Sequence, residues 1–232
     1  MIKNIKNINS NMQNKKKYNL EDGINLLKKN QKKTFIESID IAINLGINPK
    51  KSDQNIRGST ILPHGIGREI KVAVFTQGDN IKLAKKYGAN LAGGEELIQT
   101  FKKDDINFDI ILASPDIMKS VGKLGPMLGP KGLMPNPKLG TITENITKAV
   151  KNAKKGQIQY KNDKNGIIHS TIGKINFSNK KIKENLINLL QSLEKLKPIK
   201  LKGTFIKQVV LSTTMGIGIP IEISTINEII EK

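Results

Sequence analysis

Residues 70–75 read IKVAVF, and this nearly continuous apolar stretch decides the fold. A strand of this composition is expected to be buried on both faces, as in a parallel sheet that helices cover. Downstream of it, the periodicity predicts helices over 81–87, 95–103 and 115–121 and strands over 89–92 and 108–113. The alternation of strand and helix predicts a small parallel sheet flanked by helices.

A different pattern lies on both sides of this segment. Residues 35–45 alternate between apolar and polar side chains, which is typical of an antiparallel strand with one wet face. Further strands are predicted over 56–62, 158–160, 167–172 and 203–214, with a hairpin turn at 162–166. Helices are predicted over 20–29, 142–153 and 179–197, the second of them capped by Thr141 or Thr143.

This order predicts an α/β two-domain protein in which one domain is inserted into the other. The outer, discontinuous α+β domain combines an antiparallel-type sheet with helices and is expected to span 1–66 and 157–232. The inserted α/β domain is expected to span 67–156. Glycine-containing linkers are predicted near 63–68 and 154–157.

The charge balance favours a polyanionic partner. The chain of 232 residues has 39 Lys and Arg against 20 Asp and Glu, a formal charge of +19. Nucleic acid is the first candidate and an acidic membrane surface the second. Because the chain has no Trp, 3 Tyr and 6 Phe, a base-stacking platform is disfavoured, and structured RNA or a phosphate backbone is the better target. No membrane span is expected, since no apolar run reaches about 18 residues.

An enzyme is the weaker hypothesis. Neither G-x-G-x-x-G nor a P-loop occurs, so a nucleotide-dependent enzyme built on the inserted domain has little support. His64 stands between Pro63 and Gly65 with no evident carboxylate partner. Acidic residues are adjacent at 95–96 and 104–105, but the side chains of adjacent residues point apart on a helix or strand. These carboxylates therefore do not support paired-carboxylate catalysis. With no Cys and two His, no metal site, cofactor or catalytic residue is predicted.

Residues 122–140, GKLGPMLGPKGLMPNPKLG, are unlike the rest of the chain. Four prolines interrupt regular structure, five glycines permit unusual backbone angles, and three lysines add charge. The leucines and methionines between them predict an ordered, basic loop packed against the inserted domain. The basic segment 1–20 has two interpretations, an arm that orders on RNA or a soluble tail.

Several of these stretches together resemble one family. They are SDQNIRGSTILPHGIG (52–67), AGGEELIQ (92–99), FDIILASPDIM (108–118), GKLGPMLGPKGLMPNPKLGTIT (122–143) and KGTFIKQVVLSTTMG (202–216). The chain resembles the large-subunit ribosomal proteins of the mobile side stalk, the L-one family, from about residue 20 to residue 216. The stretch after Gly216 is longer and more apolar than the family pattern and is expected to add a terminal strand or a helix.

The resemblance implies a function. It implies a non-enzymatic structural constituent of the large ribosomal subunit, without cofactor, whose discontinuous domain binds large-subunit ribosomal RNA and whose inserted domain is Rossmann-like and three-layered. The stalk so formed assists release of exit-site transfer RNA, and bacterial members repress translation of their own operon messenger RNA. The implied location is the cytoplasm, on the large subunit among its other components, with an organellar ribosome as the alternative.

The resemblance also implies the RNA contacts. Hydroxyls, lysines and close backbone approach suit the minor groove of an RNA helix. Ser38 and Ser212 replace the threonine that is common in the family, and each keeps its hydroxyl. His169 is open to two interpretations, a contact to phosphate or 2′-hydroxyl groups or a solvated side chain. The implied contacts are Phe35, Glu37, Ser38, Thr204, Thr213, Thr214, Met215 and Gly216, with Lys33, Lys164, His169 and Lys202 as neighbours.

Overall fold

The computed structural model describes residues 17–31, 34–103, 108–198, 201 and 203–224. In chain order the helices are α1 (Leu20–Lys29), α2 (Asn80–Lys86), α3 (Glu95–Lys103), α4 (Met118–Gly122), α5 (Gly125–Leu128), α6 (Ile146–Lys154) and α7 (Asn179–Glu194). The strands are β1 (Ser38–Leu45), β2 (Arg57–Ile61), β3 (Val72–Phe75), β4 (Leu91–Gly93), β5 (Ile110–Ala113), β6 (Gln157–Lys161), β7 (Ile167–Lys174), β8 (Ile206–Thr213) and β9 (Ile219–Ile221). Short 3-10 turns lie at Ser52–Gln54, Pro115–Ile117 and Pro137–Leu139.

The chain divides into two compact units. The outer unit consists of the residues before Asn55 and after Lys161, and the inserted unit spans Asn55 to Lys161. The chain therefore crosses at 54/55 and 161/162, where the sequence predicts 66/67 and 156/157. The shift arises because β2 and β6 pair with each other and form a two-stranded ribbon. This β2–β6 ribbon is hydrogen-bonded to Leu139. Ser59 Oγ and Gln157 Nε2 donate to the Leu139 carbonyl at 3.0 and 3.2 Å.

The outer unit is built on a four-stranded antiparallel sheet with strand order β7-β1-β8-β9. Odd residues of β1, from Ile39 to Leu45, are buried, whereas the even residues are half-buried, so one face packs and the other stays wet. The apolar stripe of α7 and that of α1 are also buried and complete the core. The mixture of antiparallel sheet and helices agrees with the predicted α+β character.

In the stretch after Gly216, which is described as far as residue 224, the structure contains a strand. β9 pairs with β8 through Val209↔Ile221 and Leu211↔Ile219. Tyr18 forms a parallel bridge with Ile221 on the other side. Both ends of the described chain therefore meet at this edge of the outer unit.

The inserted unit contains a three-stranded parallel sheet with strand order β4-β3-β5. Every residue of β3 and β5 is buried, as the apolar composition of residues 70–75 predicts. Phe75 meets Phe101 edge-on at 5.2 Å between ring centroids, and Phe101 stacks on Phe108 at 5.4 Å.

Residues 122–140 are folded against this core. Leu124, Leu128 and Leu139 are buried, and the first two belong to the same cluster as the phenylalanines. Pro126 lies at the start of the four-residue α5, where a missing N–H costs nothing. Gly140 ends the last turn at φ 67°, in the left-handed region that favours glycine. The lysines at 123, 131 and 138 are exposed.

Apart from shifts of up to three residues at the ends of several elements, two predicted elements differ from those observed. The sixth helix begins at Ile146, and its cap is Asn145, whose side chain accepts from the Lys148 N–H at 3.2 Å. A start at 142 is wrong because Ile142 instead forms a parallel bridge with Ala113. The hairpin at 162–166 forms only at its tip, since β6 pairs with β2 and β7 pairs with β1.

Candidate nucleic-acid interface

One end of the outer sheet gathers most of the residues singled out in the sequence. The antiparallel register places the start of β1 beside the ends of β7 and β8, with Ser38↔Lys174 and Ile39↔Thr213 as partners. We call this the strand-end site and define it as residues 35–38, Lys174 and residues 213–216. Three segments far apart in sequence meet there because the sheet is antiparallel.

Thr214 pins the end of β8 to the start of β1. Its Oγ1 accepts from the Ser38 N–H at 3.0 Å, and its own N–H donates to the Ser38 carbonyl at 3.2 Å. This pair of bonds fixes the turn that follows β8. It also keeps the Thr214 side chain, which is exposed, at the rim of the sheet.

The turn after β8 needs a glycine and projects a methionine. The Gly216 N–H donates to the Thr213 carbonyl at 3.0 Å. A β-carbon on Gly216 would overlap Oγ1 of Thr213, whose side chain is buried. Met215, held between these residues, is 55% exposed. The turn is therefore a tight support for one protruding apolar side chain.

Large apolar side chains are exposed beside this turn. Phe35 is 48% exposed and Ile36 is 58% exposed, and both immediately precede the segment that Thr214 pins. Exposed apolar groups grouped at one place commonly mark a binding surface. Next to hydroxyls and a lysine, they suit ribose and base surfaces of folded RNA.

Lys174 belongs to the site although the sequence gives no sign of it. Its Nζ donates to Ser38 Oγ at 2.9 Å and to the Ile36 carbonyl at 3.4 Å. The ammonium group therefore orders the segment before β1 and adds positive charge beside Ser38. Only the β1–β7 register, which joins residues 136 positions apart, brings this lysine there.

Glu37 differs in setting from its neighbours. Its side chain is 1% exposed, and its carbonyl accepts from the Ile175 N–H at 3.1 Å. The carboxylate thus lies beneath the surface that Phe35 and Ser38 present.

Other residues implied by the resemblance lie away from the strand-end site. Thr204 lies at the opposite end of β1, where Gly46 packs closely on its carbonyl. The eight residues of β1 separate the two ends by roughly 24 Å. Lys164 is exposed in the turn at that same far end, where the Leu45 N–H donates to the Gly166 carbonyl at 3.0 Å.

His169 lies midway, and two lysines are outside the structure's description. His169 is exposed and pairs with Ala42 on the wet face of the sheet. Lys33 and Lys202 lie outside the described residues. The structure therefore groups residues 35–38 with 213–216 and spreads the remaining described residues along the sheet.

The turn at 162–166 is organised around Asp163. Its Oδ1 accepts from the N–H groups of Ile167 and Asn165, each at 2.8 Å. The hydrogen bond from Ile167 lowers the pKa of this half-buried carboxyl, and the bond from Asn165 and the electrostatic interaction with His169 act in the same direction. The carboxylate therefore stays ionised and holds Lys164 at the tip of a defined turn.

The inserted unit has an open cavity of about 430 Å³ lined by residues 63–70 and 154–156. Two of its cations have internal partners. Arg68 Nη2 pairs with Asp109 Oδ1 at 3.0 Å, and Lys154 Nζ donates to the Ile70 carbonyl at 2.8 Å. Among the described residues, no group of three or more acidic or histidine side chains could hold a metal ion.

Within the same described ranges, the helices are all too short or too polar to cross a membrane.

Comparison with known proteins extends the resemblance. A sequence model of the family described as "Ribosomal protein L1p/L10e family" matches residues 27–217. The "Large ribosomal subunit protein uL1" of Buchnera aphidicola subsp. Baizongia pistaciae is 65% identical over 212 residues, which cover 91% of each chain. The protein of that name from Pasteurella multocida is 56% identical over 222 residues, 96% of this chain and 97% of the relative. That from Aliivibrio fischeri is 54% identical over 227 residues, 98% and 97%.

Proposed function

The chain belongs to the Ribosomal protein L1p/L10e family, and from this we propose that it is a structural constituent of the large ribosomal subunit that binds large-subunit ribosomal RNA. The relatives named as large ribosomal subunit proteins match this chain over nearly their whole length. The single observation that supports RNA binding most strongly is the strand-end site, where exposed apolar groups, hydroxyls and a lysine surround one rigid turn.

The finer roles belong to the same proposal. The bound RNA and the protein form a mobile stalk, which assists release of exit-site transfer RNA. The protein also represses translation of its own operon messenger RNA and has no catalytic role. It resides in the cytoplasm on the large subunit, and the bacterial relatives favour a bacterial ribosome over an organellar one.

We assign the two units different parts in this function. The outer unit binds ribosomal RNA, and the inserted unit is a Rossmann-like three-layer domain. Two observations support the second assignment. β3 lies between β4 and β5 in the sheet. The helices of the inserted unit contact one another in two groups, α2 with α6 and α3 with α4. A central buried strand with helices in two groups is the arrangement of a doubly wound sheet.

In the proposed complex, the strand-end site meets the RNA minor groove. The Thr214 and Ser38 hydroxyls face 2′-hydroxyl and phosphate oxygens, Met215 and Phe35 pack on riboses or bases, and Gly216 lets the backbone approach. Lys174 joins the contacts implied by the family. The complete proposed set is Lys33, Phe35, Glu37, Ser38, Lys164, His169, Lys174, Lys202, Thr204, Thr213, Thr214, Met215 and Gly216, in which the buried Glu37 and Thr213 support the contact surface from beneath.

A titration with a fragment of large-subunit stalk RNA tests this proposal. Met215→Asp should weaken binding by at least about tenfold, or about 1.4 kcal/mol, since it puts a carboxylate where phosphates approach. Thr214→Ala should weaken it by several-fold through lost hydrogen bonds. The matched control is Met127→Asp, at a methionine 37% exposed in the inserted unit, which should leave affinity unchanged.

Affinity should fall steeply with salt, because binding releases counterions from the phosphates. Equal losses for the two methionine variants would show that the site is misplaced. Saturable binding of a nucleotide, without affinity for RNA, would instead favour the alternative of a nucleotide-dependent enzyme built on the inserted domain.

A further inference from the structure

Two helices of the inserted unit carry lysines that the strand-end site does not use. α2 (NIKLAKK) and α6 (ITKAVKNAK) together contain six lysines and no acidic residue. The helices contact each other. Lys151 Nζ, from α6, lies 4.5 Å from the ring centroid of Tyr87, the residue that follows α2. Their charges therefore share one surface.

Helical geometry shows which lysines face outward. Ala84 is fully buried, and residues two positions before and after it lie about 200° round the helix, which turns them to solvent. On α6 the stripe of Ile146, Ala149, Val150 and Ala153 is buried. The exposed lysines opposite these buried positions are Lys82, Lys86, Lys148 and Lys151, which we call the α2–α6 lysine surface.

Nearby acidic groups do little to neutralise this surface. Asp79 lies 3.8 Å from Lys82 Nζ, but both side chains are almost fully exposed, and such pairs contribute only about 0–1 kcal/mol. Glu69 lies 3.9 Å from Lys154, a lysine outside the surface whose Nζ also donates to Ile70 and Asn90. Glu144 stands just before α6 and is exposed.

The chemistry of the surface favours RNA over other polyanions. A membrane-binding helix needs an open apolar face, whereas the apolar stripe of α6 is buried and α2 exposes one leucine, Leu83. Protein interfaces are depleted in lysine at their centres and rely on apolar or aromatic anchors. On this surface two apolar side chains, Leu83 at 39% and Tyr87 at 36% exposure, stand beside four exposed lysines. Closely spaced lysines on a rigid pair of helices suit a phosphate backbone.

We propose that the α2–α6 lysine surface is a second RNA-binding surface, which contacts the phosphate backbone of an RNA other than the segment held by the strand-end site. The contact is made by charge and reads no sequence. It is independent of the strand-end site, because it lies wholly within the inserted unit. The chain would then hold one RNA through hydrogen bonds and apolar contacts as well as charge, and a second one through charge alone.

The test uses the full chain saturated with unlabelled stalk RNA fragment. A fluorescent RNA hairpin of unrelated sequence is titrated into this complex at several salt concentrations. Changing Lys82, Lys86, Lys148 and Lys151 together to Gln should weaken hairpin binding by at least about tenfold. The slope of log affinity against log salt should fall by about 3 to 4, since each phosphate contact contributes about 0.9. Affinity for the stalk fragment should not change.

The matched control changes four other exposed lysines of the same unit, Lys119, Lys123, Lys131 and Lys138, to Gln. The net charge of this variant equals that of the variant without the surface lysines, so a difference between the two reflects position and not total charge. We expect this control to bind the hairpin nearly as the parent does. Replacing the four surface lysines by Arg should also preserve binding. Thermal unfolding checks that each variant is folded.

Equal losses in both Gln variants, or no loss in either, would overturn the proposal. The proposal would also be overturned if the variant without the four surface lysines still bound the hairpin but no longer bound phosphatidylserine vesicles. That result would indicate a membrane-binding surface. Should the stalk fragment itself fail to bind, the proposed function fails. The hairpin titration on the chain alone would still test the lysine surface.

Discussion

Gly216 is poorly placed for substitution, because any added β-carbon would meet a neighbouring side chain that is buried and cannot easily move. A β-carbon at this position overlaps Oγ1 of Thr213, and Thr213 is only 4% exposed. Relief requires that the turn open or that the threonine leave its place. Either movement shifts Met215, so the demand for glycine concerns both the stability of the outer unit and its proposed RNA contact.

We expect Gly216→Ala to lower the free energy of unfolding by about 1–3 kcal/mol through overpacking. Urea unfolding measures this change. In a Thr213→Ala background the overlapping atom is gone, so the same change should cost much less. Gly122→Ala is the matched control, because a β-carbon there meets nothing within 4 Å. Equal costs with and without Thr213 would contradict the steric explanation.

The residues of the strand-end site were only partly predictable. The hydroxyl of Thr214 and the apolar Met215 are recognised from one contiguous motif, residues 202–216, and Ser38 from the separate alternating stretch 35–45. Lys174 could not be, because its place depends on strand pairing across 136 positions, and the sequence specifies no register. The burial of Glu37 is equally invisible in sequence, since it depends on what packs above it.

At the scale of elements, a β-bulge links the outer sheet to its longest described helix. Between Ile39 and Asp40 of β1 the register with β7 shifts, from Gly173 to Thr171, which leaves Ile172 as the extra residue. The Ile172 carbonyl accepts from Asn185 Nδ2 of α7 at 2.8 Å. Asn185 is fully buried, so a polar side chain within an apolar stripe satisfies a carbonyl at the irregularity.

Asn185→Leu should therefore destabilise the protein by about 1–3 kcal/mol, despite adding an apolar group to a core position, since it leaves a buried carbonyl without its partner. Gln191→Leu, six residues further along the same helix at a half-buried position, should change stability by about 0.5 kcal/mol or less. Chemical denaturation compares them. A neutral or stabilising Asn185→Leu would show that the bulge does not need this bond.

Local patterns predicted some elements well and others poorly. α1 and α3 have the predicted bounds because their apolar period and terminal charges are local signals. The start of α6 was missed because Ile142 pairs with Ala113, so residues before 146 serve the sheet rather than the helix. β1 begins three residues later than the alternation suggests, at the position where Thr214 and Lys174 contact Ser38.

At the scale of the whole molecule, the β2–β6 ribbon decides where one unit ends. Ile158 and Tyr160 of the ribbon are buried, and its polar side chains bond the end of residues 122–140. A sequence reading places the boundary at the glycines near 65 and 156, which looked like linkers. Those glycines instead pack closely on each other, because a β-carbon on Gly156 would overlap Gly65.

A fragment of residues 55–161 should therefore fold alone, whereas one of 67–156 should melt at a clearly lower temperature or not fold cooperatively. The shorter fragment loses the ribbon and the donors to the Leu139 carbonyl. Thermal unfolding followed by circular dichroism distinguishes the two. Indistinguishable melting curves would place the ribbon outside the folding unit.

The edge at which β9 lies between β8 and Tyr18 has a consequence for biosynthesis. The outer sheet pairs residues near 40 with residues near 170 and 210, and its last strand ends at Ile221. During translation, the inserted unit emerges complete while the first strand of the outer sheet still waits for its neighbours. The end of that sheet that we propose to bind RNA is therefore completed after the inserted unit, so a growing chain acquires the proposed RNA contact only once residues 206–216 have emerged.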